Sequence, residues 1–142
     1  MNRLSVIAGL VCLGVSVAWA GPIDDRQAIM KGIAAATKKG AAMAKGEVPF
    51  DAAQAKAILQ VYIDGAAKMP TLFPEDSKTG GDTSASPKIW EDMAGFKAAF
   101  AKFAADAQAG LSASDTASFA KAFGAVTGNC ASCHQTYRIK KS

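Results

Sequence analysis

Three residues near the end of the chain have the types and spacing of a cofactor attachment site: Cys130, Cys133 and His134. They follow the order Cys-x-x-Cys-His, and His134 is the only histidine in the sequence. Two thiols three residues apart can form thioether bonds with the two vinyl groups of one porphyrin, and the imidazole of the next residue then lies beneath the iron. This spacing is the attachment signature of haem c. The sequence therefore predicts one covalently bound haem c, held by two thioethers, with His134 as an iron ligand.

Other interpretations of the same residues remain open at this stage. A thioredoxin-like dithiol requires a βαβ setting, and the surrounding sequence contains no strand pattern. A zinc site takes four protein ligands, whereas only three Cys or His residues follow the apolar N-terminal run. A disulfide between Cys130 and Cys133 would close so short a loop that it would stabilise the fold little. A chance match within an ordinary helix is the last alternative, and the haem signature accounts for all three residues together.

The N-terminal segment has the features of a secretory signal peptide. Arg3 precedes an apolar run from Leu4 to Trp19, and Ala18-Trp19-Ala20 places small residues around a cleavage site. We therefore expect residues 1–20 to be removed, residues 21–142 to form one domain, and the protein to reach the periplasm. A retained N-terminal membrane anchor is the alternative.

The remainder of the chain is rich in residues that favour helices, and its apolar residues recur at helical spacing. A segment with several Gly, Pro, Ser and Thr residues, 71–86, is predicted to be a long surface loop. Four helices with two short connections and one long one predict an all-α fold, an antiparallel up-down four-helix bundle, with the haem near its C-terminal end. The predicted helices run from Asp24 to Gly46, from an N-cap at Asp51 to Pro70, from Ser86-Pro87 to Gly110, and from an N-cap at Ser112 or Ser114 through Tyr137.

The chain from residue 21 to its end resembles the class II c-type cytochromes, the cytochrome c-prime superfamily. The feature in common is a Cys-x-x-Cys-His motif on the last helix of an alanine-rich bundle. The resemblance implies the same bundle and a covalent haem c. The matching segments are Cys130-Ala-Ser-Cys-His-Gln-Thr-Tyr-Arg138, which is highly specific, and Arg26-Gln27-x-x-Met30-Lys31, Pro49-Phe50-Asp51-Ala52-Ala53 and Pro87-Lys88-Ile89-Trp90 with Phe96.

The resemblance implies a choice between two kinds of iron site, with His134 as the proximal ligand in both. One branch leaves the opposite side of the iron empty, which gives a five-coordinate, high-spin iron that binds small gases such as NO and CO. The other branch, of the cytochrome c-556 type, supplies a methionine from the first helix and is a six-coordinate, low-spin electron carrier. The segment from Pro70 to Pro74 lacks the tryptophan typical of the gas-binding branch and favours the second branch. Gly80-Gly81-Asp82 favours the first.

Four methionines follow the predicted signal peptide, and their positions along the helices narrow the choice of a second ligand. Met30 and His134 both lie close to the end of the bundle where the first helix begins and the last one ends, so Met30 is the expected metal ligand. Met43 lies roughly 20 Å further along the first helix by helical rise and is excluded. Met69 and Met93 remain candidates, and each can instead fill the core.

Four more residues are expected near the haem because of the resemblance. It places Arg26 and Gln27 beside the haem propionates, although a solvated arginine at a helix start is the alternative for Arg26. It places Arg138 on the proximal side, where a solvated C-terminal cation is equally reasonable. Phe96 is the aromatic residue expected to touch the porphyrin, with core packing as the alternative.

These observations predict a periplasmic monohaem c-type cytochrome that transfers electrons, with gas binding as the alternative. An enzyme is not expected, because the sequence contains no second histidine, no recognisable acid pair and no second cofactor motif. Redox proteins are the expected partners. The net charge of +4 is spread along the chain without a basic cluster, which argues against nucleic-acid binding. No membrane association is expected after signal cleavage, and both a monomer and a homodimer are compatible with the sequence.

Covalent attachment can be tested on the purified protein. Acid acetone should leave the haem on the polypeptide, because thioether bonds survive denaturation. Cys133→Ala should abolish or greatly reduce attachment, and the protein should accumulate poorly because the space in its core is no longer filled. Haem staining and intact mass measure both effects. Release of free haem from the wild-type protein, or an unmodified polypeptide mass after export, would contradict the prediction.

Overall fold

Four long helices and one short helix make up most of the chain that this computed structural model describes, residues 21–140. The predicted signal peptide lies outside the described residues. Helix α1 packs against α2 and α5, and α4 packs against the same two helices, so the long helices form the predicted four-helix bundle. The helices are α1 (Pro22–Ala44), α2 (Ala52–Lys68), α3 (Lys88–Glu91), α4 (Met93–Gly110) and α5 (Thr116–Tyr137).

The helix starts agree with the sequence prediction at α2 and differ from it at α5. The carboxylate of Asp51 accepts a hydrogen bond from the backbone N–H of Gln54 at 2.8 Å, which is the predicted N-cap. The predicted caps of the last helix, Ser112 and Ser114, are wrong, because Asp115 caps α5 instead. Its carboxylate accepts from the backbone N–H of Ser118, and the Ser118 hydroxyl accepts from the backbone N–H of Asp115. This reciprocal pair satisfies two of the free donors at the helix start.

The third predicted helix is interrupted, and the prediction of one continuous helix to Gly110 is wrong at Asp92. This residue has φ −135° and ψ 56°, outside the helical region, so α3 ends and α4 begins on either side of it. Its carboxylate accepts a hydrogen bond from the backbone N–H of Gly95 at 3.1 Å and another from the hydroxyl of Tyr137 at 2.9 Å. Asp92 therefore acts as the N-cap of α4 and connects it to α5.

The end of the bundle where α1 finishes and α5 starts is densely packed. Leu59, Ala107 and Phe119 have no exposed surface, and Met43 is 2% exposed. Gly40 of α1 faces Phe123 of α5 so closely that a Cβ atom would collide with the aromatic ring. The two helices can approach this closely only because residue 40 has no side chain.

The predicted long loop has more structure than its composition indicates. A turn of 3₁₀-helix, Met69–Thr71, leads into it, and a second, Glu75–Ser77, lies within it. Its last part, residues 82–86, which we call the strap, pairs with the chain that follows α5 through an antiparallel bridge between Ala85 and Arg138. The backbone N–H of Ser86 donates to the Tyr137 carbonyl at 3.0 Å, and that of Ile139 donates to the Ser84 carbonyl at 2.9 Å.

Within residues 21–140, none of the helices has the length and apolar character needed to cross a membrane.

The close approach of α1 and α5 predicts opposite effects for two glycine substitutions in the same helix. Gly40→Ala should lower the free energy of unfolding by about 1–3 kcal/mol, because the new methyl group overpacks the Phe123 ring. Gly32 is exposed and has no neighbouring atoms near its missing Cβ, so Gly32→Ala should raise it by roughly 0.5–1 kcal/mol through helix propensity. Urea denaturation measures both. Equal effects at the two positions would contradict the packing described here.

Candidate haem site

The end of the bundle where α1 begins and α5 ends contains a cleft of about 730 Å³, next to an apolar recess of about 60 Å³. The cleft lies between α1, α4, α5 and the strap. Its size is within the range of about 300–1,000 Å³ typical of cofactor pockets. The lining includes the residues that the sequence analysis expected at the haem: Arg26, Gln27, Met30, Phe96, Cys130, Cys133, His134 and Arg138.

The motif residues lie on the last two turns of α5 and face both volumes. The thiols of Cys130 and Cys133 are half-buried and not joined in a disulfide. Burial raises the pKa of both thiols, and Cys130 raises that of Cys133 further. Partial desolvation lowers the pKa of His134, whose side chain is otherwise exposed, and the charge of Arg138 adds to this effect. The imidazole is therefore favoured in the neutral form that can bind a metal.

The four methionines of the described chain differ in their relation to the cleft. Met30, on α1, lines both the cleft and the recess, as His134 does. Met69 lines the cleft but not the recess and is 1% exposed. Met43 is buried in the core, and Met93 is half-buried, and neither lines the two volumes.

Arg26 is a buried cation on the wall of the cleft, so a solvated arginine at the helix start is not what the structure contains. The side chain is 6% exposed and its guanidinium donates to the hydroxyl and the carbonyl of Ser77 at 3.3 and 3.1 Å. It also lies 4.4 Å from the centre of the Phe73 ring. Desolvation lowers its pKa. No carboxylate forms an ion pair with it within residues 21–140, so its charge lacks a counter-ion from that part of the chain.

The remaining predicted residues occupy different parts of the wall. Gln27 donates a hydrogen bond from its amide to the backbone carbonyl of Asp82 at 2.8 Å and so connects α1 to the strap. Phe96 is 3% exposed and forms edge-to-face contacts with Phe73 and Tyr137. Arg138 lines the cleft but is exposed and follows the last residue of α5.

Sequence reasoning did not identify Phe73, which lines the cleft, or Ser77, which accepts hydrogen bonds from Arg26. Both lie in the segment predicted to be a surface loop, far along the chain from the helix that they contact. Phe73 lies between Arg26 and Phe96, with ring centres 4.7 Å apart for the two phenylalanines. The apolar pair Leu72-Phe73 between two prolines is a local sign of burial, whereas Ser77 carries no such sign.

The residues of the cleft fit a covalently bound haem better than the alternatives. Two thiols and an imidazole lie on one wall, aromatic side chains surround the volume, and a buried cation can pair with an acidic substituent of the ligand. Residues 21–140 contain no group of three or more His, Cys, Asp or Glu residues placed to hold a bare metal ion. The same residues contain no βαβ unit, which a thioredoxin-like dithiol would need.

Comparison with known proteins gives the same assignment. The family profile described as "Cytochrome C'" matches residues 21–138. A cytochrome c' of Rhodopseudomonas palustris is 51% identical over 143 residues, covering 99% of this chain and 98% of the relative. A cytochrome c-556 of Agrobacterium fabrum is 40% identical over 139 residues, covering 96% of this chain and 93% of the relative.

Solved structures of a cytochrome c' and of a cytochrome c556 are also similar to this chain. The structure of cytochrome c' from Rhodopseudomonas palustris matches with a TM-score of 0.82 and 51% identity, covering 87% of this chain and 99% of the other. The structural model of oxidised cytochrome c556 from the same organism matches with a TM-score of 0.77 and 29% identity, covering 85% and 98%. The resemblance, the all-α bundle and the haem motif thus agree, and the chain belongs to the cytochrome c' family, whose members carry a covalently bound haem c.

Proposed function

We propose that this protein is a periplasmic electron carrier whose haem iron is ligated by His134 and Met30. The observation that carries the proposal is that Met30 shares both the cleft and the recess with His134 and the two cysteines, from the opposite helix. Met69 borders only the cleft, and Met93 borders neither volume. Met30 and His134 would together hold the iron of a bound haem and leave it no position for an external ligand, and two strong protein ligands would suit a site that changes only its charge.

The bound haem supplies the one-electron exchange between ferrous and ferric iron. Cys130 and Cys133 hold it at the wall of α5, and Phe73, Phe96 and Phe100 exclude water from the cleft. The cation of Arg26 is placed to pair with a propionate, and Gln27 holds the strap against α1. Ligand identity, burial and nearby charge are the means by which a protein adjusts a haem potential, and these residues provide all three.

Gas binding at a five-coordinate, high-spin iron is the second candidate, because of Gly80 and Gly81. Both have positive φ, 87° and 53°, in the segment before α3. A glycine-rich segment at this place is the feature of the gas-binding branch noted above. The relative with 51% identity bears the name cytochrome c', whereas the c-556 relatives bear the name of the other branch.

The proposed carrier exchanges electrons with redox proteins and catalyses no reaction of its own. Lys31 and Arg138 line the cleft and are exposed, so they can attract an acidic partner to the haem edge. Both a monomer and a homodimer are compatible with this proposal. Location in the periplasm follows from the predicted signal peptide.

Replacement of Met30 distinguishes the two functions. The wild-type protein should be low-spin in both oxidation states and should react slowly or not at all with carbon monoxide. Met30→Ala should give a high-spin iron that binds carbon monoxide readily, and its potential should fall because a thioether ligand favours ferrous iron. Absorption spectra of the oxidised and reduced proteins, with and without carbon monoxide, measure the change.

Met69→Ala and Met93→Ala are the matched controls, since each removes a methionine from the same half of the bundle. Both should remain low-spin even where packing is loosened. A wild-type protein that is already high-spin would favour gas binding. A high-spin iron in Met69→Ala but not in Met30→Ala would assign the sixth ligand to Met69.

Arg26→Ala should lower the reduction potential. A positive charge near the iron disfavours the ferric state, and its removal also leaves the nearby propionate without a counter-ion, so both effects have the same sign. Because Arg26 is buried, the shift should persist when the salt concentration is raised. Potentiometry at low and high salt measures it.

Arg26→Lys and Ser77→Ala separate the charge from the hydrogen bonds. Arg26→Lys keeps the positive charge, so its reduction potential should stay close to that of the wild-type protein. Ser77→Ala removes one hydrogen-bond acceptor of Arg26 and leaves the charge in place. A potential that rises in Arg26→Ala, or that falls equally in Ser77→Ala, would argue against pairing with a propionate.

A further inference from the structure

The hydroxyl of Tyr137 connects the last turn of α5 to another part of the bundle. The side chain is 9% exposed, and its hydroxyl donates to Asp92 Oδ2 at 2.9 Å. Tyr137 is three residues after His134, so the two side chains belong to the same turn of the helix. The connection therefore acts on the turn that carries the predicted iron ligand.

The acceptor of this hydrogen bond is itself fixed. Asp92 lies at the break between α3 and α4, and its other oxygen caps α4 through the backbone N–H of Gly95 at 3.1 Å. A Cβ atom on residue 95 would lie 2.7 Å from the Tyr137 hydroxyl, so the start of α4 can approach the hydroxyl only because this residue is glycine. The hydroxyl thus meets a carboxylate that cannot move without uncapping α4.

The ring and the backbone carbonyl of Tyr137 are also fixed by contacts. Its ring contacts Phe96 edge-to-face, with ring centres 5.2 Å apart, and its carbonyl accepts from the backbone N–H of Ser86 in the strap. Hydrogen bonding to Tyr137 is the largest of the effects that lower the pKa of Asp92. Burial and Asp92 raise the pKa of Tyr137. At neutral pH the proton therefore stays on the phenol, and the carboxylate accepts.

We propose that Tyr137 is a positioning residue for the iron: its hydrogen bond to Asp92 fixes the last turn of α5 and thereby the orientation of the His134 imidazole. The inference rests on the proposed ligation by His134. Outer residues that orient a metal ligand act in this way in other sites, usually through a direct hydrogen bond to the ligand. Here the connection acts through the helix turn instead.

Tyr137→Phe removes the hydroxyl and keeps the ring, and Tyr62→Phe is the matched control. Tyr62 is 1% exposed and bonds to Thr37 at 3.0 Å, so its replacement also removes one buried hydrogen bond, but one between α1 and α2. Each variant should lose the stability of one hydrogen bond, and the loss should be larger in Tyr137→Phe because the partner of Tyr137 is a carboxylate. The electron paramagnetic resonance spectrum of the oxidised protein reports axial-ligand orientation, and its g values should shift and its lines broaden in Tyr137→Phe alone.

Two variants of Asp92 separate the hydrogen bond from the charge. Asp92→Ala removes the acceptor and should reproduce the spectrum of Tyr137→Phe. Asp92→Asn loses the charge but can still cap Gly95 with its oxygen and donate from its amide to the Tyr137 oxygen, so it should restore the wild-type g values.

Three results would overturn the inference: wild-type g values in Tyr137→Phe, an equal shift in Tyr62→Phe, or a shift in Asp92→Asn as large as that in Asp92→Ala. All variants are compared with covalent haem in place, and the comparison applies to high-spin and low-spin iron alike. A wild-type protein without covalent haem would instead refute the proposed function.

Discussion

The packing of Met43, Leu59, Ala107 and Phe119, one residue from each long helix, holds the four helices together at one end of the bundle. This constraint matters because the opposite end contains the cleft between α1, α4, α5 and the strap. The walls of this cleft are available to a bound haem rather than to one another, so the bundle needs stability from helix-to-helix contacts elsewhere. The dense end provides that stability, and the positions of the cleft walls follow from the helices that it aligns.

The sequence predicted the bundle because the relevant signals are local. The Asp51 cap, the helical spacing of apolar residues and the Cys-x-x-Cys-His motif can each be identified within a short window. The N-cap of α5 was missed although it is local, because Ser112 and Ser114 compete with Asp115 as capping residues. Its partner Ser118 is not the Glu or Gln of the usual capping pattern.

The predictions that failed because of contacts between distant residues have a common cause. The helix break at Asp92 depends on Tyr137, and the burial of Arg26 depends on Ser77, two contacts between residues far apart in the chain. Nothing in a window around Asp92 indicates a break, since the apolar spacing continues through it. Such contacts become visible only when the packing of α1, α4 and α5 is known.

The buried guanidinium shows how this family member can hold a charge in an apolar cleft. Hydrogen bonds to Ser77 and the face of the Phe73 ring replace part of the lost hydration without neutralising the charge. A carboxylate of the protein in the same place would neutralise the cation and leave it unable to pair with a haem propionate, the role proposed for Arg26. The arrangement therefore preserves a positive potential in the cleft while satisfying the donors of the arginine.

The pairing of the strap with Arg138 and Ile139 constrains the order in which the chain can complete its fold. Synthesis proceeds from the N-terminus, so Arg138 and Ile139 are made after the whole of α5. Loop closure between segments so distant in the chain also carries an entropic cost, which disfavours early pairing. The strap can thus reach its final hydrogen bonds only after α5, with both thiols, is complete. The wall of the cleft on this side is the last to close.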